Sequence, residues 1–172
     1  MQNLLKEMMR CLNAKAYYPA LITAVSIPDI CAALESNGNT NSTKYINWFN
    51  ANAAKYFDTL LDGSMAYYLR CSVAHQGRLS HPGFKHSFDE IMFVTDNNGI
   101  SLHLIEIIQS GGKKFLVLEL DKFCQVMYNS TIDWLNQVEQ TEKYKNNYQR
   151  FFRKNIQPLP WDENGVSIIA SF

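Results

Sequence analysis

No surplus of charge marks this chain. Sixteen lysines and arginines offset sixteen aspartates and glutamates, so no global field steers it toward nucleic acid or any other polyanion. Contact with RNA would need a local patch. Cysteine is sparse: Cys11, Cys31, Cys71 and Cys124 lie far apart and none forms a CxxC pair. That excludes a disulfide framework and a closely spaced zinc site, and points to reduced thiols in a cytoplasmic protein. The first residues, Met1-Gln-Asn-Leu-Leu-Lys-Glu, lack the basic end and apolar core of a signal peptide. The longest apolar run, Tyr17 to Leu34, is interrupted by Thr23, Ser26, Pro28 and Asp29, which argues against a membrane span. There is no P-loop, no Rossmann glycine pattern, no Gly-x-Ser-x-Gly and no HExxH. A nucleotidyltransferase signature is also missing, because no acidic pair follows Gly63-Ser64. An antitoxin of that type would be a separate chain.

What the chain does have is apolar mass. Of 172 residues, 47% are hydrophobic and 13% aromatic, enough for one domain with a full core. Leu4, Leu5, Met8, Met9 and Leu12 recur at helical spacing over residues 2–13. Residues 16–35 predict a longer helix that Pro28 kinks or splits. Asp29 then either caps the second half or pairs with a buried cation, Arg70 being the obvious candidate. Residues 43–57, capped by Ser42 or Thr43, carry Tyr45, Ile46, Trp48, Phe49, Ala53 and Phe57 on one stripe. Residues 64–76 form a fourth helix between a Ser64 cap and Gly77.

Beyond Gly77 the pattern breaks into a loop over residues 78–89. Its His81 and His86 read as solvated side chains; no acidic or thiol ligand accompanies them to make a metal site with His75. The period then switches to two. Residues 89–120 predict an antiparallel meander of three strands, turning at Asn97-Asn98-Gly99 and again at Ser110 to Lys114. A last long helix spans residues 121–153, capped by Asp121, and a tail covers 158–172, with an edge strand expected near Val166 to Ala170. The fold class is therefore mainly α: a helical bundle with a small antiparallel sheet inserted before the last helix. Lys143, Lys145, Arg150, Arg153 and Lys154 form the one basic cluster, interleaved with Tyr144, Tyr148, Phe151 and Phe152. Such a segment can hold a phosphate backbone and stack bases; it also reads as a solvated helix face.

The fourth helix is apolar nearly all round, yet it carries Arg70 and His75. A guanidinium in such surroundings needs a counter-charge, a second subunit or a ligand. Five residues along a helix turn about 500°, so the two side chains leave the axis about 140° apart. Aiming both at one phosphate would take a loosened helix end or a second copy of the chain.

Arg70 and His75 spell Arg-x4-His. Late on a capped helix, after long helices, that spacing resembles the HEPN superfamily, over roughly residues 1–80 and less clearly the C-terminal helix. The resemblance implies a helical bundle that dimerises, with its site in the dimer cleft. It further implies metal-independent ribonuclease chemistry of a toxin or defence type, needing no cofactor. His75 would be the base on a ribose 2′-hydroxyl and Arg70 the stabiliser of phosphate charge, with Asp29 orienting Arg70 and Ser72 helping to hold the phosphate. One departure stands out. Active members carry a polar residue, often Asn, Asp or His, directly after the arginine; here that residue is Cys71.

Two other readings use the same residues. In one, Arg70–Asp29 is a structural ion pair, His75 a favoured helix C-terminal residue, and the protein a catalytically silent dimeric binding module. In the other, Cys71 and His75 form a thiolate–imidazole pair at i,i+4, though no oxyanion hole or orienting third residue accompanies them.

Overall fold

The computed structural model describes residues 1–84, 87–95 and 99–151, together with the backbone of Arg153–Asn155 and Ile168–Ser171. Six α-helices and a three-stranded sheet make up the body: α1 (Gln2–Asn13), α2 (Tyr17–Glu35), α3 (Ser42–Asn52), α4 (Gly63–Gln76), β1 (Glu90–Val94), β2 (Ile105–Ile108), β3 (Lys114–Glu119), α5 (Leu120–Val138) and α6 (Glu142–Tyr148). A separate antiparallel pair, β4 (Arg153–Asn155) and β5 (Ile168–Ser171), follows. The protein is thus mainly helical with a small sheet, as the periodicity predicts.

Helix α2 is the hub. It packs against α1, α3, α4, α5 and α6, which accounts for an apolar surface on every side. By length and composition it alone among the described helices could cross a membrane, but 56% of its apolar window is buried inside the fold. Pro28 does not split it: the helix runs unbroken from Tyr17 to Glu35. Asp29 therefore caps nothing and is free to make an ion pair. Next to the proline, the Val25 carbonyl accepts a hydrogen bond from the buried Tyr45 hydroxyl at 3.0 Å. The same hydroxyl lies 3.2 Å from the Ala66 carbonyl, so one ring joins α2, α3 and α4.

Helix α4 starts one residue earlier than expected, and its cap is Asp62, which accepts from the Met65 amide at 2.8 Å, not Ser64. A Cβ on Gly63 would stand 2.4 Å from the Ile46 carbonyl oxygen. Glycine is what lets α3 and α4 approach here. At the other end Gly77 adopts φ 60°, and the Arg78 amide returns to the Ser72 carbonyl, so a left-handed glycine closes the helix end. Helix α3 is likewise capped one residue ahead of expectation, by Asn41. It ends at Asn52, and a 3-10 turn, Ala54–Tyr56, completes the aromatic stripe.

The sheet is not a meander. Its order is β1-β3-β2: β1 lies parallel to β3, Glu90 opposite Phe115, and β2 antiparallel to it, Ile105 opposite Val117. Asn97 and Asn98 of the expected first turn lie outside the described residues. The physical reason for the topology is the segment 101–104. Instead of pairing as a strand it hooks over the start of α5. The Leu102 amide donates to Glu119 Oε1 at 2.6 Å, the Glu119 amide to His103 Nδ1 at 3.1 Å, and Lys122 Nζ to Ser101 Oγ at 2.7 Å. β2 consequently begins only at Ile105, and one hairpin survives, between β2 and β3. The central position of β3 matches its unbroken apolar run, buried from Phe115 to Glu119.

The last helix is also divided. α5 begins at Leu120, with no side-chain cap from Asp121. It stops at Val138, and Thr141 caps the short α6 by accepting from the Tyr144 amide. Asn147 then donates to the Leu34 and Ser36 carbonyls at 2.9 and 3.0 Å, closing the C-terminal end of α2. The tail expectation is met in part, since β5 covers Ile168–Ser171; residues 158–167 lie outside the described set.

Candidate functional site

Arg70 projects from α4 toward α2, where its Nε reaches 2.6 Å from Asp29 Oδ2. The two side chains keep 25% and 13% of their surface, so the pair sits at the rim of the core, not sealed within it. The contact is electrostatic: neither atom meets hydrogen-bond geometry. Asp29 Oδ1 accepts from the Thr40 hydroxyl at 3.3 Å. Burial works against the guanidinium charge, but Asp29 and Cys71 together more than offset it, and the net shift of Arg70 is upward.

The far end of the guanidinium swings along the helix. Arg70 Nη1 lies 2.9 Å from Nε2 of the exposed His75. A guanidinium can only donate. Nε2 therefore accepts, and the imidazole is the neutral form with its proton on Nδ1. The expectation that one regular helix cannot aim both groups together is overturned: the length of the arginine side chain covers the angular gap within a single protomer.

Cys71, half-buried, stands beside both Arg70 and Tyr67 and pushes each of them toward its protonated form. The Cys71 contact is the first cause that raises the Tyr67 phenol. The imidazole faces Arg70, so a Cys71–His75 couple is not formed. Ser72 is fully buried, and its hydroxyl donates to the Ser80 carbonyl at 2.9 Å. It pins the loop after α4 and does not reach the exposed face, contrary to a phosphate-holding role. Among the described residues no cluster of three or more His, Cys, Asp or Glu could hold a metal ion.

The basic segment divides differently from expectation. Lys143, Lys145 and Arg150 are exposed, while Arg153 and Lys154 are described by backbone alone. Their aromatic neighbours are already occupied: Tyr144, Tyr148 and Phe151 stack in series at 5.3 and 5.6 Å, and Tyr144 meets Trp134 edge-on. These rings anchor α6 and do not stand free for bases.

A feature the sequence reading missed lies beside the motif. His81 is not a solvated loop histidine. Its ring stacks on Tyr68 at 4.6 Å with 9° between planes, and its Nδ1 accepts from the Gly83 amide at 2.9 Å. Tyr68 stands seven residues before His75, two turns back on the same face. The signal was present in that spacing, but the return of the loop onto α4 could not be read from it. His86 lies outside the described residues.

No family model, curated protein or solved structure matches this chain.

Proposed function

We propose that the protein is a HEPN-like, metal-independent ribonuclease of toxin or defence type that works as a cytoplasmic homodimer. The observation that carries this reading is the solvent-facing Arg70–His75 contact, braced from behind by Asp29. Its three groups match the roles the chemistry needs. In the free protein the guanidinium occupies the base's lone pair on Nε2. A phosphodiester entering the site would draw the guanidinium onto its oxygens, for which the forked donors are suited. That movement frees Nε2 to take the proton of a ribose 2′-hydroxyl. The alkoxide attacks the adjacent phosphorus, the P–O5′ bond breaks, and the 5′-oxygen leaves as a hydroxyl on receiving the proton that the His75 imidazolium took from the 2′-hydroxyl; a 2′,3′-cyclic phosphate remains. Arg70 stabilises the charge on the phosphate throughout. Because both groups meet in one protomer, dimerisation is not forced by their geometry and rests on the family resemblance.

One observation favours the alternative, a catalytically silent HEPN-like dimeric module. Arg70 already has Asp29 and His75 as partners, and Cys71 stands where active members carry a polar side chain. RNA degradation with chelator present separates the two. Wild type should cleave to cyclic-phosphate ends, while Arg70→Ala and His75→Ala should not. Equal activity in all three, or none in any, removes the enzyme. Size-exclusion chromatography with light scattering reads the dimer.

A further inference from the structure

We propose that the cavity between the end of α4 and the segments 78–82 and 88–89 is a nucleobase subsite for single-stranded RNA, holding one unpaired base beside the Arg70–His75 pair. The inference rests on the ribonuclease reading for its choice of polymer. The cavity, about 450 Å³, is lined by Gln76, Arg78, Ser80, His81, Phe88 and Asp89 among others. Gln76 directly follows His75, and His81 lies against Tyr68 on the His75 face of α4.

The lining segments 78–84 and 87–89 are built, not loose. Ser72 holds the Ser80 carbonyl, the Ile91 amide donates to the Leu79 carbonyl at 2.9 Å, and Phe84 and Phe88 are buried beneath. A Cβ on Gly83 would come within 2.4 Å of the Tyr68 ring, so the loop backbone and the His81 ring together cover Tyr68. The half-buried His81 ring is left as the aromatic surface of the cavity. It is a rigid one, because Tyr68 and the Gly83 amide fix its plane.

The polar lining suits a base better than a bare phosphate. With Nδ1 accepting from Gly83, neutral His81 offers Nε2–H as a donor. Exposed Gln76 offers an amide with both donor and acceptor. Asp89 adds a negative charge at the cavity that disfavours a bare phosphate there, whereas a neutral base meets no such penalty. Arg78 at the rim can then take the phosphate on the outer side. A base enters only when unstacked from its neighbours, which selects single strands over duplex.

The test is binding of a short, fluorescein-labelled, 2′-O-methylated single-stranded RNA of mixed sequence, followed by fluorescence anisotropy. The 2′-O-methyl group prevents cleavage. Wild type should bind the single strand more tightly than the same sequence as duplex. His81→Ala should weaken binding about tenfold, the scale of one lost base stack, Gln76→Ala about fivefold to tenfold for its lost hydrogen bonds to the base, and His81→Phe should bind within a few-fold of wild type. If His81→Ala does not fold, the exposed Gln76→Ala variant decides alone. No binding by wild type, or unchanged affinity in the variants, overturns the subsite. Binding that depends on His81 and Gln76 without any cleavage of unmodified RNA keeps the subsite and removes the nuclease.

Discussion

Arg70 and His75 leave α4 on different sides, yet the Nη1 of one meets the Nε2 of the other at 2.9 Å, with Asp29 holding the opposite edge of the guanidinium. The arginine therefore spans two loyalties: a carboxylate that fixes its stem and an imidazole lone pair that it covers until something more negative arrives.

Asp29 should act as a positioning residue. Asp29→Asn keeps the shape and removes the charge. The cost in stability should be about 1–3 kcal/mol, since the guanidinium then lacks its half-buried counter-charge. Under the proposed activity kcat should fall more than tenfold while KM changes little, and Arg70→Lys should not restore it because an ammonium lacks the fork. Thermal melts and RNA cleavage kinetics check this; a loss of stability with kcat intact would leave Asp29 a purely structural partner.

Gly63→Ala should disturb the α3–α4 contact. The added methyl meets the Ile46 backbone carbonyl at 2.4 Å, and the Gly63 amide is already bound to Asn50 Oδ1 at 2.7 Å. Backbone cannot rotate away as a side chain can. The expected loss is about 2–3 kcal/mol, read as a lower urea midpoint with unchanged slope.

Stability should decline as pH falls from 7 to 5, and His103 should be a main cause. Burial, then Lys122, holds its imidazole below the usual range, with Glu119, Asp121 and Asp58 pulling the other way. Its Nδ1 must stay unprotonated to accept from the Glu119 amide. The unfolded chain takes up the proton first, near pH 6.5, so the folded state loses ground from there downward until its own lower value is reached. Above pH 7 the group contributes no slope. Glu119 is shifted down, chiefly by its hydrogen bond to Lys122, so its loss begins only in the carboxylate range. His103→Gln should flatten the profile between pH 7 and 5 in denaturant titrations; an unchanged slope would assign it to other groups.

Much of the helical body was legible because a long apolar stripe has few alternatives. Leu5 and Met8 of α1, the all-round apolar α2, and Tyr45, Trp48 and Phe49 of α3 are buried as their spacing predicts. Asp29 was legible as a group needing a cation, and Arg70 as the candidate. The sheet was not legible. Asn97-Asn98-Gly99 is strong local turn chemistry, but the pull on the next residues is non-local, from Glu119 and Lys122 onto 101–103. The division at Glu139–Thr141 was missed because the basic and aromatic residues that follow continue a plausible helix. The Arg70–His75 contact escaped for a different reason: angular spacing describes Cβ directions and ignores the reach of a long side chain.

The parallel pairing of β1 with β3 sets an order of events at the ribosome. Glu90–Val94 leaves the tunnel before the strand it will bond to has emerged, and its partners Phe115–Glu119 come out only after β2 has already passed. In the meantime the helices already offer the first strand a seat for Ile91, which is fully buried in the finished fold, until a younger segment arrives to be inserted between its two elders.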